Sequence, residues 1–190
     1  MLSLVTAPAS EPFTPAEAKL HCKVDVTTDD SLVALWIAAA RQYAETFTGR
    51  ALLNQTWDLK LSGFPCGAIV LPFPPVSSIT SVSYIDTAGT TQTWSSALYE
   101  TSIPTGPQAM PAQIQPVYGG VYPSTRDVFD NVTVRFICGY GASSSTIPAL
   151  LRAAMLLLIA RMYEKREASI VEGDVSSADA ILWSYKVACG

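Results

Sequence analysis

Leu32, Trp36, Ala39, Tyr43 and Phe47 recur at the spacing of one helix face, and Leu35 and Ala40 widen the stripe. Asp29 or Asp30 supplies an acidic N-terminus for that helix, and Gly49 a natural stop. Upstream, Thr14-Pro15-Ala16-Glu17 has the form of a capping box with proline in the first turn. It predicts a short helix ending near His21. The period then changes. Trp57, Leu59 and Leu61 alternate with Asp58, Lys60 and Ser62, the pattern of a half-buried strand. Short strands are predicted over 68–71, 79–85, 90–94, 99–103 and 113–115, with a hairpin turn at 86–89. Residues 119–130 are loop-like. Val132, Val134 and Phe136 alternate with Thr133, Arg135 and Ile137 in a strong strand ended by Gly139-Tyr140-Gly141. Helix returns after Pro148. Leu151, Met155, Leu158 and Met162 form one face, with Leu150, Ala154, Leu157 and Arg161 beside it. A helix apolar over most of its circumference is expected at the centre of a core. Residues 171–177 are a polar loop. Ser177-Ala178-Asp179 opens a last short helix through Trp183, leaving Tyr185, Lys186 and Val187 extended.

The pattern therefore predicts an α+β protein. Its helical core is built from the N- and C-terminal segments, with an inserted, mainly antiparallel β subdomain. The boundaries are 1–50 for the N-terminal helices, 51–146 for the β-rich insertion, and 147–190 for the central helix plus a C-terminal docking segment. Charge and turn residues divide the chain in the same places. Residues 51–146 hold 8 of the charged side chains, against 10 in each flanking segment, and carry 9 of the 13 prolines and 8 of the 11 glycines.

At 190 residues and 49% apolar content the chain is long and hydrophobic enough to bury a core. Only 15% of residues are charged, well below the roughly 25% of ordinary soluble domains. A surface this poor in charge suits coverage by other subunits. The net charge of -4 gives no global basic field to hold nucleic acid. The stretch 150–163 is broken by Arg152 and Arg161 and is too short to span a bilayer. The first ten residues lack the basic and apolar regions of a signal peptide. No membrane association is expected.

Chemistry is sparse. Cys22, Cys66, Cys138 and Cys189 are scattered, without a C-x-x-C pair, and His21 is the only histidine. This favours reduced structural thiols over a zinc site. A serine triad would have to use His21, and there is no G-x-S-x-G elbow. Gly139-Tyr140-Gly141-Ala142-Ser143 lacks the ending of a phosphate loop and is expected to be a strand-to-helix connection. Asp29-Asp30 and Asp127/Asp130 lack EF-hand spacing. No catalytic, cofactor-binding or metal-binding residue is expected, and no enzyme. Arg161, Lys165 and Arg166 form a small basic group interleaved with Glu164 and Glu167. It is a solvated helix end by default and a candidate subunit interface otherwise. Trp183 and Tyr185 are large aromatics in a terminal segment. They either pack on the chain's own core or anchor a partner.

The ordered signals resemble a known family. They are Thr14-Pro15-Ala16-Glu17-Ala18-Lys19, then Val24 with Asp29-Asp30-Ser31-Leu32. The run Ala38-Ala39-Ala40-Arg41-Gln42-Tyr43-Ala44-Glu45-Thr46-Phe47-Thr48-Gly49-Arg50 follows, then Gln55-Thr56-Trp57, Leu71-Pro72, Pro75-Val76 and Ile79-Thr80-Ser81-Val82. Val132-Thr133-Val134-Arg135-Phe136, Gly139-Tyr140-Gly141, Pro148, Tyr163-Glu164 and Tyr185-Lys186-Val187 complete the set. In that order they resemble the tailed-phage head–tail connector (adaptor) proteins of the gp6-like type, in the longer subgroup with a β insertion. The resemblance implies assembly rather than catalysis. The implied protein is a virion neck component made in the host cytoplasm. It forms a ring, typically a dodecamer, bound to the portal protein on one side and to a tail-side connector or stopper on the other. DNA passes through without sequence-specific binding. The resemblance also implies a portal-docking C-terminal segment, here Ala178, Ile181, Leu182, Trp183, Tyr185, Lys186 and Val187. Two other readings stay open. One is a tail-completion or stopper protein one layer lower. The other is a small hydrolase or carbohydrate-binding module using the β region, which a concave cluster of Trp57, Tyr84 and Trp94 would favour.

Overall fold

The computed structural model describes residues 1–25, 28–165 and 177–187. The chain is α+β and divides into two compact units. One comprises Met1–Pro8 and Asn54–Tyr140, the other Ala9–Leu53 and Gly141–Gly190.

The first unit is built on antiparallel sheets. Strands β1 (Leu2–Thr6), β2 (Gln55–Leu61), β4 (Val76–Ile85), β5 (Thr91–Thr93) and β8 (Val132–Cys138) form one sheet in the order β1-β2-β8-β4-β5. Strands β3 (Ile69–Leu71), β6 (Tyr99–Ser102) and β7 (Ala112–Pro116) form a second, in the order β3-β7-β6. The alternation read from the sequence sets the register. Leu59 stands opposite Val134, Trp57 opposite Phe136 and Leu61 opposite Val132, so these apolar residues share one face. On the other strand flanking β8, Val82 stands opposite Val134 and Ile79 opposite Phe136. Phe136, Val134, Val82, Leu71 and Ile114 are fully buried. Asp58, on the opposite face, is also buried, because the Arg135 guanidinium grips its carboxylate with two 2.8 Å bonds. The hairpin turn is held by Asp86, whose carboxylate accepts from the amides of Ala88 and Thr90.

One strand is absent from the pattern-based expectation. The pattern predicts only helices over residues 1–50, yet Leu2–Thr6 pairs with β2. Its partner lies more than fifty residues along the chain, so no local signal marks it.

The second unit is helical: α1 (Pro15–Cys22), α2 (Asp30–Thr48), α3 (Ala149–Lys165) and α4 (Ser177–Trp183). The predicted capping box is formed at α1. Thr14 Oγ1 accepts from the Glu17 amide, and the Glu17 carboxylate accepts from the Thr14 amide at 2.8 Å. Those bonds hold the Glu17 carboxyl below its ordinary pKa, with Arg152 adding a smaller pull. α2 ends at Gly49 in the left-handed conformation, its amide bonded to the Glu45 carbonyl.

The buried face of α2 is not the expected stripe. Val33, Ile37, Ala40, Arg41, Ala44 and Thr48 face inward, while Leu32, Leu35 and Tyr43 are exposed. The helix is rotated by about one residue, close to 100°, from the face its large side chains define. Arg41 is accommodated because its guanidinium binds Glu11 at 2.7 Å and Glu45 at 2.8 Å. α3 buries Leu151, Ala154, Met155, Leu158 and Ile159, but Leu150 and Leu157 remain exposed, so it is not buried all round as its composition suggested.

Candidate interaction surface

The C-terminal segment splits into inward and outward side chains. Ala178 and Leu182 are one helical turn apart on α4 and fully buried, and Tyr185 is buried with them; Ile181 is half-buried. Arg50 donates from Nε to the Tyr185 carbonyl at 2.6 Å. The Val187 amide donates to the Thr48 carbonyl at 2.8 Å. The segment is therefore fastened to the end of α2. Trp183, 65% exposed, and Lys186 point away from that core.

Around Trp183 the structure gathers side chains of the apolar stripe of α2. Phe47 lies edge-on to Trp183 at 6.2 Å, and Tyr43 stacks on Phe47 at 5.9 Å. The Lys186 ammonium stands 4.6 Å from the Trp183 ring centre and 5.5 Å from that of Phe47, a cation held over two aromatic faces. Tyr43 donates its hydroxyl to Asp179 at 2.7 Å. Burial first, then this bond and the Asp179 charge, push the phenol pKa up, while Arg161 pulls it the other way. Arg161 is thus electrostatically tied to the cluster, half-buried on α3, and Lys165 is exposed at the end of that helix. Arg166 lies outside the described residues, as do 171–176 of the expected polar loop. Tyr43 and Phe47 were legible as an i, i+4 aromatic pair, but nothing local showed that Lys186 would lie over Phe47.

The aromatic residues of the β unit do not make a ligand cup. Tyr84 and Trp94 both meet Phe64, at 5.9 and 5.4 Å, and Tyr122 stacks on Phe64 at 4.8 Å. Trp94 is 3% exposed, and Phe64, Tyr84 and Tyr122 are half-buried around it. Trp57 sits apart, against Phe73 at 4.9 Å. Trp57 on one side, and Tyr84 with Trp94 on the other, therefore belong to separate ring groups.

His21 is exposed in the last turn of α1. Asp30 pairs with Lys19 at 2.7 Å, and Asp29 stands at the N-cap of α2, its carbonyl accepting from the Val33 amide at 2.9 Å. Gly139 takes a φ of 130° and its amide donates to the Pro75 carbonyl, while a Cβ on Gly141 would overlap the Thr146 side chain. That glycine pair serves the connection to the 3-10 turn Ser144–Thr146. Cys22 and Cys66 carry free thiols, and the buried Cys138 thiol donates to the Gln55 carbonyl at 3.8 Å. Among the described residues no group of three His, Cys, Asp or Glu side chains is placed to hold a metal ion, and no helix is long and apolar enough to cross a membrane.

A family model described as phage gp6-like head–tail connector protein matches residues 16–109. Over those residues the chain matches the gp6-like head–tail connector family. The match takes in α1, α2 and the strands from β2 through β6. The fold reaches further than the matched residues. A chain in the neck of an empty gene transfer agent (GTA) particle, computed with C6 symmetry, is 24% identical and superposes with a TM-score of 0.83. The match covers 100% of this chain and 97% of the other. A chain of the native GTA virion matches over the same shares at 24% identity and a TM-score of 0.83. A chain in the native GTA neck computed with C12 symmetry reaches 0.78 at 24% identity and the same coverage. These likenesses show the shared fold. No curated protein matches the chain.

Proposed function

We propose that this protein is a structural, non-catalytic virion component that forms a ring in the neck, between the portal and the tail, around the DNA channel. The observation that carries the proposal is the head–tail connector family match over residues 16–109. The fold supports it, since chains of the same fold occur in GTA necks treated with C6 and C12 symmetry. A ring of twelve copies agrees with the second of these. The low charged content suits subunits that cover one another, and the net charge of -4 disfavours tight hold on passing DNA. The portal lies on one side and a tail-side connector or stopper on the other, with assembly in the host cytoplasm.

Within that function, portal docking falls to Trp183 and Lys186, the members of the C-terminal segment that project outward. Ala178, Leu182 and Tyr185 support them from inside. Removing residues 178–190 would strip buried side chains from the helical unit, so truncation confounds docking with folding. Trp183→Ala is the cleaner variant. Arg161 and Lys165 are proposed as subunit contacts on the same unit.

The test is mass by light scattering, for the protein alone and mixed with its cognate portal protein. Ring-sized mass in either sample is expected, with portal binding weakened at least tenfold by Trp183→Ala and the fold unchanged. A monomer in both samples would overturn the function. Binding to a tail-side partner without portal binding would move the protein one layer lower.

A further inference from the structure

We propose that the two open edges of the five-stranded sheet join neighbouring copies, β1 of one against β5 of the next. This rests on the ring function proposed above and names the contact that closes the ring. A head-to-tail ring needs two different complementary surfaces on each subunit. The sheet has two such edges, on opposite sides.

Among the described residues no strand pairs with either outer edge. Leu2 is 38% and Leu4 46% exposed, and Leu2–Thr6 contains neither a charged residue nor a proline, two common guards against edge pairing. All three residues of β5 are exposed. Backbone polarity follows from the ladders. Met1 and Lys60 exchange both of their backbone bonds, at 2.6 and 2.8 Å. Bonded and non-bonded pairs alternate in an antiparallel ladder. Ser3 is therefore turned toward Asp58, while Leu2 and Leu4 direct N–H and C=O away from β2. At the other edge, Trp94 donates to the Val82 carbonyl and Asp86 to the Thr90 carbonyl. The same alternation turns the backbone groups of Thr91 and Thr93 outward. Each edge thus offers two outward residues spaced by two. A bulge between Leu4 and Thr6 ends the regular edge of β1 after Leu4, which matches the three-residue length of β5.

Strand direction fixes how the edges meet. Every neighbouring pair in the sheet is antiparallel, so β1 and β5, at the first and fifth places, run the same way. Copies related by the small rotation of a many-membered ring keep that direction, and the junction is a parallel ladder. Leu4 N–H then donates to the neighbour's Thr91 carbonyl. The Thr91 amide donates to Leu2, and the Thr93 amide to Leu4. This register sets Leu4 beside Gln92, on the face where Leu4 stands opposite Trp57 and Trp57 opposite Phe136. Charge agrees with it. The Lys60 end of one copy meets the Asp86 turn of the next, where Asp127 lies two residues past Thr125, the bridge partner of Asp86, and Arg126 lies over Gly89.

The test is cysteine cross-linking of the full chain in a Cys66→Ser, Cys189→Ser background, with cognate portal protein present where the ring needs it. Leu4→Cys combined with Gln92→Cys should give a ladder of disulfide-linked multimers on a non-reducing denaturing gel. Neither single variant should do so. Thr93→Pro removes an outward N–H and spares the β4 ladder, and it should weaken ring formation at least tenfold. Leu2→Pro removes an N–H that the junction does not use, and should leave the ring unchanged. Dimers from Leu4→Cys alone would mean β1 pairs with its own copy, and would overturn the proposal. A ring that persists without any cross-link ladder would also overturn it, while leaving the connector function standing. A monomer under every condition defeats the connector function, and this contact with it.

Discussion

The β unit and the helical unit were encoded with different precision. A strand has two faces, so alternation leaves one choice between them, and Val132, Val134 and Phe136 make that choice plainly. A helix can present its stripe at any angle. In α2 large apolar residues occupy two adjoining faces, and the inward one is that of Val33, Ile37, Ala40 and Ala44. Ala40 and Ala44 let neighbouring helices approach closely, and Trp36, half-buried beside them, meets Tyr163 of α3 edge-on at 5.7 Å. α2 thus leaves Leu35 and Tyr43 at the surface, whereas β8 keeps Val134 and Phe136 inside.

This contrast can be broken from the β side first. Phe136→Ala should cost about 3–5 kcal/mol, the usual range for emptying a buried phenylalanine site. Urea denaturation with fluorescence detection measures it. On the helical side, Arg41→Met should cost roughly 2–3 kcal/mol. It takes the guanidinium away from the enclosed Glu45 carboxylate, while Glu11 is wetter. Both losses appear in the same unfolding assay, and an Arg41→Met loss below about 0.5 kcal/mol would refute the inward face assigned here.

The ion pair of Asp58 and Arg135 has a smaller effect, visible in its pH dependence. The side-chain bond from Arg135 holds the Asp58 carboxyl below its ordinary value of 3.8. A depressed folded pKa gives stability that is full above the ordinary value and fades as pH falls through the lower one. Asp58→Asn should therefore flatten the decline of the urea midpoint between about pH 5 and pH 2, with a modest loss at neutral pH because Arg135 is 45% exposed. The smallest effect is expected at Leu35, 62% exposed, where Leu35→Ala should change stability by no more than about 0.5 kcal/mol. The sequence stripe ranks Leu35 above Arg41; the structure reverses the order.

Local signals carried most of the fold. The capping box at Thr14, the stop at Gly49, the turn at Asp86 and the alternation in β8 each act through neighbours a few residues apart. What escaped depends on distant partners. β1 exists because β2 offers it an edge, and Asp58 is buried because Arg135, 77 residues later, covers it. The interaction surface was legible in part for the same reason. Trp183 stood out as a large terminal aromatic. Tyr185 stood out equally, yet it turns inward because Arg50, 135 residues earlier, takes its carbonyl.

The two bonds that tie Tyr185 to Arg50 and Val187 to Thr48 have a mechanical consequence. A pull applied at residue 187 is delivered straight to the last turn of α2. It bypasses the lengths of α3 and α4, so the strength of the tail as a tether is set by the end of a helix that lies far from it in the chain.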